Sequence, residues 1–155
     1  MKLPPPLFKA GHYLYRAKWW LLRPITTGVR VMVLNGDQVL LIRHTYQRGW
    51  FMPGGGLKRN ETLEEAARRE LREETGLTVD RLDVAGVFTN VFDGKTDHVV
   101  LFRTETDSQP VPDSPEVAEW GWFPISALPD GVGRGSRQRI TELARPDSPV
   151  VAGRW

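Results

Sequence analysis

The sequence predicts an α+β domain, or a mixed sheet with helices on both sides. Three observations lead there. Short apolar runs of strand type dominate the chain, one well-marked helix lies in the middle with another near the end, and the helices do not alternate strictly with the strands. At 155 residues the chain makes one domain of ordinary size, able to bury a full core. Its apolar content of 40% and charged content of 26% are those of a globular protein.

Residues 1–24 read as an N-terminal aromatic helical extension, 25–145 as the main domain and 146–155 as an irregular tail. In the extension, residues 11–22 form a predicted helix carrying Tyr13, Tyr15, Trp19 and Trp20, then Leu21 and Leu22, and Pro24 ends it. Its expected use is packing on the domain or on a second copy, as a homodimer contact. A helix lying in a membrane surface is the alternative, since Trp beside Arg16, Lys18 and Arg23 suits a headgroup layer. Val29, Val31 and Val33 alternate on a strand, Asn35-Gly36 makes a hairpin turn, and residues 39–43 return. Residues 50–52 are short and extended. Strands at 84–92 and 98–104 follow the central helix, joined by Asp93-Gly94. A Pro-rich loop at 109–115 leads to the last clear strand at 119–123. A helical turn at 125–128 and a final helix at 135–144 complete the domain.

The central helix carries most of the information. Thr62 with Glu65 makes a capping box, and Gly76 supplies the left-handed residue that ends the helix. At about 100° per residue, Leu63, Ala66, Ala67 and Leu71 form one stripe. Glu70 and Glu74 fall in the middle of that stripe and Glu73 at its edge, with Glu65, Arg68, Arg69 and Arg72 on the other side. A Glu-rich helix is ordinarily a solvated face with i,i+4 ion pairs. That explanation fails for Glu70 and Glu74, which sit where the core belongs. A buried carboxylate costs several kcal/mol unless it is paired or bound to a metal. Three carboxylates within one turn also repel one another, and a divalent cation relieves both costs.

Oxygen ligands without His or Cys point to Mg²⁺, with Mn²⁺ as the substitute, rather than zinc. Such an ion completes its shell with water and substrate phosphates. The expected chemistry is therefore hydrolysis at phosphorus, with a glutamate positioning or deprotonating the attacking water. Pro53-Gly54-Gly55-Gly56 precedes the helix. Glycines let the backbone approach a ligand, and a carbonyl there, at Gly54, is a candidate for the metal shell.

Gly55, Glu61, Arg69, Glu70, Glu73, Glu74 and Gly76 stand at fixed spacings, with Leu71 and Leu77 at the aliphatic positions. At ordinary residue usage, chance supplies about one such match in 10^8 starting points. The pattern resembles the signature of the Nudix hydrolases, which cleave nucleoside diphosphates linked to another group. Trp122-Phe123-Pro124 followed by Leu128-Pro129 also looks like that family's closing strand and helix, so the resemblance covers roughly residues 25–145. It implies an α/β/α sandwich and a metal site built on Glu70, Glu73 and Glu74, with Glu74 and Glu70 as direct ligands. It implies that Arg69 pairs with Glu61 to hold the loop against the helix, with Gly55 and Gly76 as the other structural positions of the motif. An acidic residue from a later loop often joins the site; Glu116 or Glu119 fills that place here, with Glu116 preferred. Lys58 stands where Glu is frequent and Asn60 where Gly is frequent, and Asn tolerates the left-handed backbone that Gly would provide.

Arg43 and Arg48, just before the Gly-rich loop, are candidates to clamp substrate phosphates, because guanidinium matches that geometry. Arg30 interrupts an apolar strand, so its side chain is expected in a cleft or in solvent, and it joins the substrate-binding candidates. His12, His44 and His98 are scattered and receive no catalytic role. Trp50, Phe51, Phe88 and Phe92 are placed in the core rather than against a nucleobase. The expected partner is a small diphosphate-containing substrate. A net charge of +2 argues against a dedicated nucleic-acid binder. Zero cysteines exclude disulfides, Cys-ligated metals and thiol catalysis. Pro4-Pro5-Pro6 breaks any signal-peptide core, and no apolar run is long enough to span a bilayer, so a cytoplasmic protein is expected and a membrane partner is not. Removal of pyrophosphate from RNA 5′ ends, and nucleotide sensing without cleavage, are the competing functions. The second usually goes with lost motif carboxylates, and all are present here.

Overall fold

The computed structural model describes residues 25–92 and 95–155. The predicted helix at 11–22, the Asp93-Gly94 connection and the side chain of Phe92 lie outside the described residues. Six strands form one sheet: β1 Ile25–Asn35, β2 Gln38–His44, β3 Asp83–Phe92, β4 Lys95–Glu105, β5 Val117–Pro124 and β6 Val151–Arg154. Helix α1, Leu63–Thr75, lies between β2 and β3 in the chain, and α2, Arg134–Leu143, follows a 3-10 turn at Ile125–Ala127. The strand order is β5-β2-β1-β4-β3-β6. β1 with β4 and β3 with β6 run parallel, and the other neighbours are antiparallel.

The apolar run of β1 is buried on both faces, as a strand inside a two-sided sandwich must be. Val29, Val31 and Val33 face α1, packing with Leu40, Val100 and Phe102 against Ala66, Ala67 and Leu71. Met32 and Leu34 point the other way, into a second core with Leu41, Phe88, Leu101, Ile140 and Leu143 of α2. The sheet is thus mixed, with a helix on each side, the second of the two classes open from element order alone. Trp50 and Phe88 belong to the α2-side core, 6% and 1% exposed.

Two local readings change. Asn35 pairs with Gln38, so the hairpin turn is Gly36-Asp37, with Gly36 at φ +59° taking the left-handed position. The tail is not irregular: Val151–Arg154 adds a strand parallel to β3. Trp155 then sets its ring edge-on to Phe88 at 5.6 Å, and its backbone N–H donates to Thr89 O at 3.1 Å. Arg139 stacks on the same Phe88 ring, 4.6 Å from its centroid. A four-residue run after two prolines carries too little alternation to be read as a strand; the β3 edge supplies its hydrogen bonds.

Candidate active site

Helix α1 positions the carboxylates. Its capping box is complete: Glu65 N–H donates to Thr62 Oγ1 at 3.2 Å, and Thr62 N–H to Glu65 Oε2 at 2.8 Å. Gly76, at φ +73°, closes the other end with its N–H on Arg72 O. A Cβ at Gly76 would stand 2.5 Å from Val111 O, so glycine also admits the Pro-rich loop. Val111 N–H donates to Thr75 O at 2.9 Å, stitching that loop to the helix end. Glu73 and Glu74 therefore sit in the last turn, where the helix dipole disfavours a carboxylate, and the loop bearing Glu116 is drawn over them.

Arg69 is not on a solvated side; its side chain is only 13% exposed. It forms a fork on Glu61, Nε to Oε1 at 2.6 Å and Nη2 to Oε2 at 2.9 Å. It also reaches Glu70 Oε1 at 2.5 Å, Glu73 Oε2 at 3.2 Å and Gly56 O at 3.1 Å. One guanidinium thus relieves part of the repulsion among three acids and ties the glycine loop to the helix. Arg69 hydrogen bonding, helped by Lys58 N–H, pulls the Glu61 carboxyl down to about 2. Lys58 adds an ammonium 3.7 Å from Glu73, and Asn60 adopts φ 60°, the left-handed backbone expected of it.

Glu74 is different. It is 5% exposed and has no such fork. Its Oε2 accepts Gly54 N–H at 2.7 Å, and its Oε1 lies 3.6 Å from His44 Nε2. Burial pushes its carboxyl up to about 7, with the charges of Glu70 and Glu116 adding and Gly54 N–H and Arg30 opposing. Burial and the Arg30 charge hold the His44 imidazole below its ordinary 6.5, with the Glu116 backbone opposing them. Gly54 is locked against β1: its φ is +142°, and a Cβ would stand 2.2 Å from Val29 O. Arg30 Nη1 donates to Gly54 O. The next glycine is as constrained, since a Cβ at Gly55 would lie 2.6 Å from Glu70 Oε1.

Glu70, Glu73, Glu74 and Glu116 line one opening of about 430 Å³, together with Asp113 and Ser114. Glu119 does not: it lies on β5 paired in register with Arg43, and their side chains form an exposed ion pair at 3.1 Å. Arg43 also lies over the Trp50 ring, 4.7 Å from its centroid, on the α2 side of the sheet and away from Glu74. Arg48 is exposed in the loop after β2. Arg30 borders a second recess of about 200 Å³ with Gly28, Gly55, Gly56 and the Thr26–Asp97 hydrogen bond.

Among the described residues no three His, Asp or Glu groups form a ready-made cation cage. Glu70 and Glu73 are engaged by Arg69, and Glu73 by Lys58 as well. The donor set nonetheless fits a hard divalent cation: oxygen-only, clustered, with one buried carboxylate that lacks a counter-charge in contact. Sequence reasoning passed over His44. The signal was the alternation of β2: Leu40 faces α1, so His44, four residues on, faces α1 as well, whereas Arg43 faces away.

Clustered carboxylates at a glycine loop, over a sheet with helices on both sides, suit the hydrolysis of phosphoric anhydrides. Residues 24–143 match the model of the NUDIX domain. An oxidized purine nucleoside triphosphate hydrolase of Danio rerio is 40% identical over 104 residues, 64% of this chain and 66% of that protein, just under two thirds of its length. A putative 8-oxo-dGTP diphosphatase of Bacillus subtilis is 34% identical over 105 residues, 67% of this chain and 70% of that protein. An RNA pyrophosphohydrolase of Xanthomonas campestris is 29% identical over 156 aligned residues, covering 79% and 72%. The solved MutT NUDIX hydrolase from Burkholderia pseudomallei shares the fold, with a TM-score of 0.69 at 21% identity over 76% of this chain and 97% of that one. The chain belongs to the NUDIX family, and it is a hydrolase of diphosphate linkages.

Proposed function

We propose that the substrate is a nucleoside triphosphate, or another small molecule built on a nucleoside diphosphate, and that Mg²⁺ is the working cation with Mn²⁺ as its substitute. The observation that carries this is Glu74, a buried carboxylate facing the same opening as Glu70, Glu73 and Glu116. The relatives from Danio rerio and Bacillus subtilis, named for nucleoside triphosphates, support that substrate class.

In this reading Glu70, Glu73 and Glu74 hold the cation, with Gly54 O beside them. When bound, the cation neutralises phosphate charge and lowers the pKa of coordinated water. Gly54 N–H and Arg69 keep the carboxylates in place. Glu116, entering from the loop stitched to Thr75, positions the attacking water and takes its proton. The water oxygen bonds to phosphorus, the bridging P–O bond breaks, and the leaving phosphate carries away the electron pair. Arg30, half-buried at the glycine loop, is placed to meet substrate phosphate. Arg43 and Arg48 do not line this opening.

Removal of pyrophosphate from RNA 5′ ends is the second reading, supported by the Xanthomonas campestris relative and its 79% coverage of this chain. A screen separates the two: ordinary and oxidised nucleoside triphosphates, sugar nucleotides, dinucleoside polyphosphates and 5′-triphosphorylated RNA, each with Mg²⁺ and with Mn²⁺. Highest kcat/KM on a free nucleotide supports the first reading. A preference for RNA transfers the assignment to the second.

A further inference from the structure

We infer that His44 is a positioning residue for this hydrolysis, its Nε2–H directing the second oxygen of Glu74 while Gly54 N–H holds the first. The inference rests on the assignment of Glu74 to the reaction and deepens it. Five observations meet at this side chain. Its Nε2 is 3.6 Å from Glu74 Oε1, and Gly54 N–H is 2.7 Å from Oε2, so two elements address the two oxygens of one carboxylate. The ring is set by stacking on Tyr46 at 5.0 Å and packing on Phe51 at 5.6 Å. Opposite Arg43 and His44 the pairing slips, with Ala118 the extra residue on β5, so a bulge lies in the strand that leads out of Glu116 and sets that end of β5 beside His44. Thr45 N–H donates to Glu116 O at 2.9 Å, so consecutive residues at the end of β2 reach Glu74 by side chain and Glu116 by backbone.

The fifth observation separates positioning from packing. His44 Nδ1 is buried and makes no hydrogen bond of full geometry among the described residues, with only the Glu116 backbone bearing on the ring. A residue kept only to fill this site would be better as Phe, which stacks equally well and strands no polar atom. The retained imidazole is explained by the N–H that a phenyl lacks. At 3.6 Å the contact is longer than a hydrogen bond. Active-site pairs commonly stand long without substrate and tighten in its complex.

The chemistry of the ring supplies the test. The amide nitrogen of Gln reaches the place of Nε2, that of Asn the place of Nδ1, and Phe keeps the ring alone. His44→Phe and His44→Asn should each lower kcat by about 10-fold or more, with KM held within about twofold, the scale of an orienting partner behind a metal ligand. Mn²⁺ binding, followed by the electron paramagnetic resonance of the free ion, should weaken by a similar factor. His44→Gln should recover most of both losses. In a Glu74→Gln background, His44→Phe should add nothing. Wild-type kcat and Mn²⁺ binding in His44→Phe, or a larger loss in Gln than in Phe, overturns the inference and leaves the function standing. A wild-type protein that neither binds Mn²⁺ nor hydrolyses any diphosphate overturns both.

Discussion

Replacing Glu74 by Gln should slow catalysis and stabilise the metal-free protein, and pH separates the two effects. The Glu74 side chain is 7% exposed, and burial raises its carboxyl from 4.5 to about 7. Below pH 4.5 the folded and unfolded chains both carry the proton, and the residue costs nothing. From there to about 7 the unfolded chain releases its proton first, so stability falls as pH rises. Above 7 the full penalty applies, about 3 kcal/mol at about 1.4 kcal/mol per pH unit. Gln never ionises, and its Oε1 still accepts Gly54 N–H. The variant should therefore gain about 3 kcal/mol on the wild type between pH 4.5 and pH 8, or about 6–12 °C in Tm for a domain of this size. Thermal unfolding of both proteins in EDTA across that range measures it. With Mg²⁺ present, kcat of the variant should fall about 10^2-fold or more. A Tm difference that does not change with pH, or a variant less stable than wild type at pH 8, refutes the burial argument. Near wild-type turnover removes Glu74 from the reaction.

Three further outcomes are expected. Protein stripped of metal and assayed in excess EDTA should be inactive, with Mg²⁺ or Mn²⁺ restoring it; full turnover without metal would end the mechanism. Glu116→Gln should slow the reaction more than Glu119→Gln, because Glu119 is engaged by Arg43 on the other side of the sheet, and the opposite order would give the role to Glu119. Gly54→Ala should cost about 3 kcal/mol from overpacking, since the new Cβ meets Val29 O at 2.2 Å with φ at +142°; an unchanged Tm would show that the loop can move away.

Resolution of the sequence reading depended on range along the chain. The capping box, Gly76 and the placing of Glu70 and Glu74 on the apolar stripe all rest on neighbours within four residues, where helix geometry leaves one answer. The signature was legible for the same reason. Arg69 shows the limit: helix angle put it on the solvated side, but its long stem folds back under the glycine loop to three carboxylates. Arg43 and His44 differ by one residue, and strand alternation sends them to opposite faces. Which face would hold the site depended on the packing of α1.

By itself, then, the sequence determined the first five strands, the two helices that flank the sheet and the group of carboxylates, because each follows from local periodicity and spacing, and its motif carried the resemblance to the family. Tertiary structure alone decided the depth at which Glu74 is buried, its bond to Gly54 twenty residues away in the chain, its contact with His44 and the sixth strand after α2. Those depend on which strands pair and in what register, and a one-residue change in register exchanges the faces of a strand.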